Sequence, residues 1–173
     1  MKTHILLSLI FLFGLLSGCA EHSALQTTLD KAEALMENHP DSAYSLLQTI
    51  DSEAMRTRGD RARYALLYTQ AQDKNYIDET CDSLISVAAE YYRQTDDVRR
   101  KFLSYYYMGR VYTNAGDYLN ATSYYMEAEQ WVDVVADDYL TGLLYSELGR
   151  IYDIYYDFSK SLESYLKSAG CYE

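Results

Sequence analysis

Proline occurs once in 173 residues and glycine eight times, which leaves too little punctuation for a fold of many short strands and turns. Histidine is almost as scarce. His4 sits in the apolar leader, and His22 and His39 precede the patterned part of the chain. No HxxxH or CxxC spacing exists, so a zinc site has no support. No GxSxG, phosphate-binding loop or GxGxxG is present. Basic residues are outnumbered: 15 Lys and Arg face 26 Asp and Glu, giving a formal charge of −11 that repels phosphate backbones and argues against nucleic-acid partners. Phenylalanine is rare too, at 4, yet tyrosine reaches 20. Tyrosine joins an apolar body to a hydroxyl that can reach water, and so suits thin folds with few fully buried positions.

One apolar run stands out, Ile5 to Leu16, preceded by Lys2. It is short for a bilayer span but suits the core of a signal peptide. It closes on Leu16-Ser17-Gly18-Cys19, which resembles the bacterial lipoprotein signal, the lipobox. That resemblance implies removal of residues 1–18, lipidation of Cys19 and a short tether over 19–23. The mature chain is then one unit more acidic. The implied address is a bacterial cell envelope, with the protein lipid-anchored to the outer membrane or on a periplasmic face.

The rest, 24–173, carries an internal repeat. Tyr105, Gly109, Arg110, Tyr112, Asp117 and Tyr125 match Tyr145, Gly149, Arg150, Tyr152, Asp157 and Tyr165, each forty residues on. Met108 pairs with Leu148 and Ala121 with Ser161. A fainter copy begins at Tyr64, with an offset of forty-one to Tyr105. Each unit reads as two helices, because Phe102, Tyr105, Met108 and Tyr112 recur at three- and four-residue steps over 99–115. Asn114-Ala115-Gly116-Asp117 reads as a turn, Gly116 ending one helix and Asp117 capping the next. The second helix is expected from Tyr118 to about Val134, with Ala121, Tyr125 and Ala128 on its inner stripe. Upstream, 25–38 and 41–50 read as another pair around Pro40, followed by a loop over 51–60.

These residues resemble the tetratricopeptide repeat family: Tyr105, Met108-Gly109, Tyr112, Ala121, Tyr125 and Ala128, then Tyr145, Leu148-Gly149, Tyr152 and Tyr165. Ser161 and Ser168 depart from the family's alanines, and forty exceeds its usual period of about 34. The resemblance implies an all-α fold, a right-handed α-solenoid of antiparallel helix pairs. Gly109 is expected to face Ala121 so that two backbones nest. Cys81 and Cys171, placed on second helices two units apart, are expected to be too distant for a disulfide. Asp96-Asp97 and Asp137-Asp138 are read as helix caps, and Trp131 as packing.

No catalytic set, metal site or cofactor is indicated, and the chain reads as non-enzymatic. In the resembled family the first helices line a concave groove that binds peptide or protein segments. Tyr106, Arg110 and Asn114, with Ser146, Arg150 and Asp153 in the next unit, are the candidates for that face. Tyr107 is expected at a surface edge. The expected function is a lipid-anchored scaffold for protein–protein interaction. The alternative is the N-terminal sensory repeat region, as a fragment, of a larger membrane-associated signalling or transcription-regulating protein.

Overall fold

The computed structural model describes residues 22–172. The leader, Cys19 and most of the tether lie outside them; His22 and Ser23, assigned to the tether from sequence, belong to the first helix. The described residues are helical, without a strand. The elements are α1 (22–35), α2 (Pro40–Leu47), a 3₁₀ turn (Ser52–Ala54), α3 (Arg58–Lys74), α4 (Ile85–Tyr92), α5 (Val98–Asn114), α6 (Tyr118–Glu129), α7 (Val132–Val135), α8 (Asp138–Ile154) and α9 (Phe158–Gly170).

Three of these helices are built to one plan. α3, α5 and α8 are each 17 residues long and begin at 58, 98 and 138. Their N-caps, Thr57, Asp97 and Asp137, each accept from the backbone N–H three residues on, satisfying a donor that the first turn leaves unpaired. After each helix the chain turns through a left-handed residue: Tyr76 (φ 58°), Gly116 (φ 76°) and Tyr156 (φ 59°). Asp117 and Asp157 then cap α6 and α9. The register of the first copy is therefore forty, not the forty-one that aligning Tyr64 with Tyr105 suggests. Ala65 is the residue that stands where Tyr105 and Tyr145 do.

Packing runs along the chain order. α3 packs on α4 and α5, α5 on α6, α6 on α8, and α8 on α9. One apolar cluster joins α1, α2 and α3 through Leu29, Met36, Leu47 and Leu67. A larger one runs from Ala62 through Phe102, Tyr107, Tyr125 and Leu144 to Ile151.

Several expectations need correction. The helix from Tyr118 stops at Glu129; Trp131 to Val135 forms a separate turn that lays Trp131, Val132 and Val135 on the larger cluster. Ala136 follows in the left-handed region (φ 47°), which redirects the chain into α8. Cys81 lies in the 75–84 loop, not on a helix, and Cys171 follows α9; both are free thiols. The side chain nearest Gly109 is Tyr125 rather than Ala121. A Cβ there would lie 2.3 Å from the Tyr125 ring, so the glycine makes room for an aromatic plate. Gly149 does the same for Tyr165, at 2.8 Å. The serines that replace alanine are used by their hydroxyls: Ser161 donates to Asp153 at 2.6 Å, and Ser168 to the Gly142 carbonyl at 2.8 Å.

Candidate functional site

The site is built on the facing sides of α3, α5 and α8. α5 enters it in an unusual state, because every residue from Lys101 to Gly109 is buried. Neighbouring helices and α6 leave this stretch no solvent face. This decides the fate of the tyrosine run. Tyr106, expected to face a partner, is only 5% exposed, stacks on Phe102 and tilts against Tyr125. Tyr107, expected at an edge, is also buried, its ring edge-on to Tyr106. Burial holds both hydroxyls well above their ordinary pKa, so they stay neutral. Tyr105, Tyr106 and Tyr107 are all core.

Arg110 is close to that core and is engaged from two sides. Its Nε donates to Asp73 Oδ1 of α3 at 2.7 Å, and one Nη donates to Glu147 Oε1 of α8 at 2.5 Å. Burial alone would lower the guanidinium's pKa, but Asp73 and Glu147 outweigh it and hold the charge in place. The other oxygen of Glu147 accepts from Arg150 at 2.7 Å and 3.2 Å. The result is a ladder of alternating sign across three helices: Asp73, Arg110, Glu147, Arg150. Its members are partly buried, where charge-assisted bonds are worth more than at an open surface.

The remaining candidates divide. Asn114 donates to the Glu79 carbonyl at 3.2 Å, and Tyr112 to Asp82 at 2.6 Å, so the end of α5 moors the 75–84 loop. Asp153 is exposed but accepts from Ser161 and from the Tyr165 hydroxyl, bracing α8 against α9. Ser146 is exposed, and Arg150 keeps an open side. Of the six residues proposed from sequence, Ser146, Arg150 and Asp153 reach solvent, the last two while bonded within the fold.

A second ionic seam was not foreseen. Arg63 of α3 binds Asp30 at 2.6 Å and Glu33 at 2.5 Å, and Arg100 of α5 reaches the same Glu33 at 3.1 Å and Asp97 at 2.6 Å. Lys74 binds Glu37 at 2.8 Å. The sequence shows these charges but not their pairing, since the partners lie more than thirty residues apart in most cases. Among the described residues, no group of three or more His, Cys, Asp or Glu side chains could hold a metal ion, and no helix is long and apolar enough to cross a membrane. The chain matches no protein-family model, no curated protein and no solved structure.

Proposed function

We propose that the chain is a non-enzymatic, lipid-anchored scaffold of a bacterial envelope, built as a tetratricopeptide-like α-solenoid that binds protein partners. The observation that carries this reading is the recurrence of one capped 17-residue helix at 58, 98 and 138, each followed by a left-handed turn. Units of this kind bury their apolar faces only against neighbours, and stacking them produces extended surfaces for other chains. The leader ending in Leu16-Ser17-Gly18-Cys19 supports the membrane anchor. Binding is assigned to the third pair, α8–α9, because Ser146 and Asp153 are exposed there, while Tyr106, Arg110 and Asn114 of the second pair are buried or half-buried.

Two measurements test the reading. The protein labelled with a radioactive fatty acid should carry lipid, and Cys19→Ala should abolish the label and release the chain from membranes. Affinity capture of the lipidated protein from solubilised membranes should return a defined set of proteins by mass spectrometry. Absence of both label and partners would sink the proposal.

A further inference from the structure

The forty-residue register allows each side chain of α9 to be compared with its counterpart in α6, and the two differ in cover. On α6, Tyr118, Thr122 and Tyr125 share one stripe; Tyr125 is 0% exposed and the other two are half-buried. The element lying over that side is α8, which packs on α6, sets Tyr145 beside Glu129 and reaches Arg110 with Glu147. On α9 the same stripe reads Phe158, Leu162 and Tyr165, at 65%, 62% and 38% exposed. The replacements run toward more apolar side chains, Tyr118 to Phe158 and Thr122 to Leu162, which is the reverse of what a solvated surface favours.

Two further observations point to the same face. Tyr156, like Tyr76 in the first unit, adopts the left-handed conformation that Gly116 adopts in the second, at a cost of roughly 1 kcal/mol or more for a residue with a Cβ. It is 80% exposed and meets Phe158 edge-to-face at 6.1 Å, so the strained position extends the aromatic patch. The charge ladder also ends here. Arg110 holds two carboxylates, but among the described residues its counterpart Arg150 is ion-paired only with Glu147, whose charge it shares with Arg110.

We infer that the face formed by Arg150, Tyr156, Phe158, Leu162 and Tyr165 docks an amphipathic α-helix, laid across it as α8 lies across α5–α6, and that this helix presents a carboxylate to Arg150. The internal joint supplies the template for both features: an apolar stripe to cover Phe158 and Leu162, and an acid at the place that Glu147 takes over Arg110. A second copy joined head-to-tail fits less well, since α1, α2 and α3 expose no large hydrophobic residue, and Tyr76 and Ile77 in the loop after α3 form no helical stripe for it to offer. The inference deepens the scaffold reading by naming a surface and a ligand class.

The probe is a helix-stabilised peptide of residues 138–154, stapled on its polar side and fluorescently labelled, titrated against the protein lacking its leader. Saturable binding is expected, weakened ~10-fold or more by Leu162→Asp or Phe158→Asp and ~5-fold by Arg150→Ala. Glu147→Gln in the peptide should cost the same factor as Arg150→Ala, and the two together no more. These side chains are largely exposed, and unchanged thermal unfolding of each variant keeps the comparison valid. The proposal is overturned if no saturable binding occurs, or if binding ignores Leu162, which would mean the peptide displaces α8 from its own seat. It is overturned equally if sedimentation shows dimers that Leu162→Asp dissolves and the peptide does not, since a second copy would then be the occupant. A silent peptide leaves the scaffold reading to be decided by the membrane capture.

Discussion

The second and third helix pairs are two settings of one design, and they differ in what lies on top. Tyr125 and Tyr165 each lie flat over a glycine of the preceding helix, Gly109 and Gly149. Tyr125 is sealed by the next pair and its hydroxyl meets Thr113 at 3.2 Å, whereas Tyr165 stays partly open and bonds to exposed Asp153. Arg110 is clamped from both sides, while Arg150 is held from one. The same residues are thus structural in the middle of the array and available at its side. Position along the chain, more than residue type, decides which of the matching side chains are covered.

A methyl group at each glycine should separate the two pairs most strongly. Gly109→Ala drives a Cβ into a ring with no room to retreat, and the gain in helix propensity, about 1 kcal/mol, does not offset overpacking. We expect a loss of ~2 kcal/mol or more in urea unfolding. Gly149→Ala meets a ring that can swing toward solvent, and should change stability by less than ~1 kcal/mol. Equal losses would show that the two tyrosines are held alike.

Alkaline unfolding gives a smaller effect. Burial keeps the Tyr125 hydroxyl neutral well above the ordinary value of 10.0. The unfolded chain therefore loses a proton near pH 10 that the folded chain retains, and stability falls as pH rises above it, by up to about 1.4 kcal/mol per pH unit for one such group. Unfolding followed at about pH 9 and about pH 11 should show Tyr125→Phe flattening that fall more than Tyr165→Phe. A flattening of the same size from both would erase the distinction in burial.

The smallest effect concerns the turns. Tyr156→Gly relieves a left-handed tyrosine and should raise stability by ~0.5 kcal/mol, net of the lost contact with Phe158. The reciprocal Gly116→Tyr should lower it by ~1 kcal/mol, measured in the same assay. A drop on replacing Tyr156 would mean that its ring contributes more to the fold than the strain removes.

The helix pairs, the caps Asp97, Asp117, Asp137 and Asp157, and the turn at Gly116 were all legible in the sequence, because each depends on residues within a few positions. The burial of Tyr106 and Tyr107 was not. Periodicity assigns a helix one apolar stripe, and α5 is covered on several sides by helices whose approach no local pattern encodes. The register of the first unit could have been read correctly, from Thr57, Asp97 and Asp137 rather than from tyrosines. The choice of Tyr125 over Ala121 as the partner of Gly109 depends on where a long ring comes to lie, which spacing alone leaves open.

The divided carboxylate of Glu147 has a thermodynamic consequence. Its two oxygens serve Arg110 inside the stack and Arg150 at the rim, so one negative charge is apportioned between a joint and a surface. An acid that satisfied Arg150 from outside, as proposed, would release Glu147 toward Arg110 and tighten the seam between the second and third pairs. By reciprocity, whatever stiffens that seam alters the affinity at the rim by the same factor. Occupancy at the surface and rigidity of the array are then two readings of a single equilibrium.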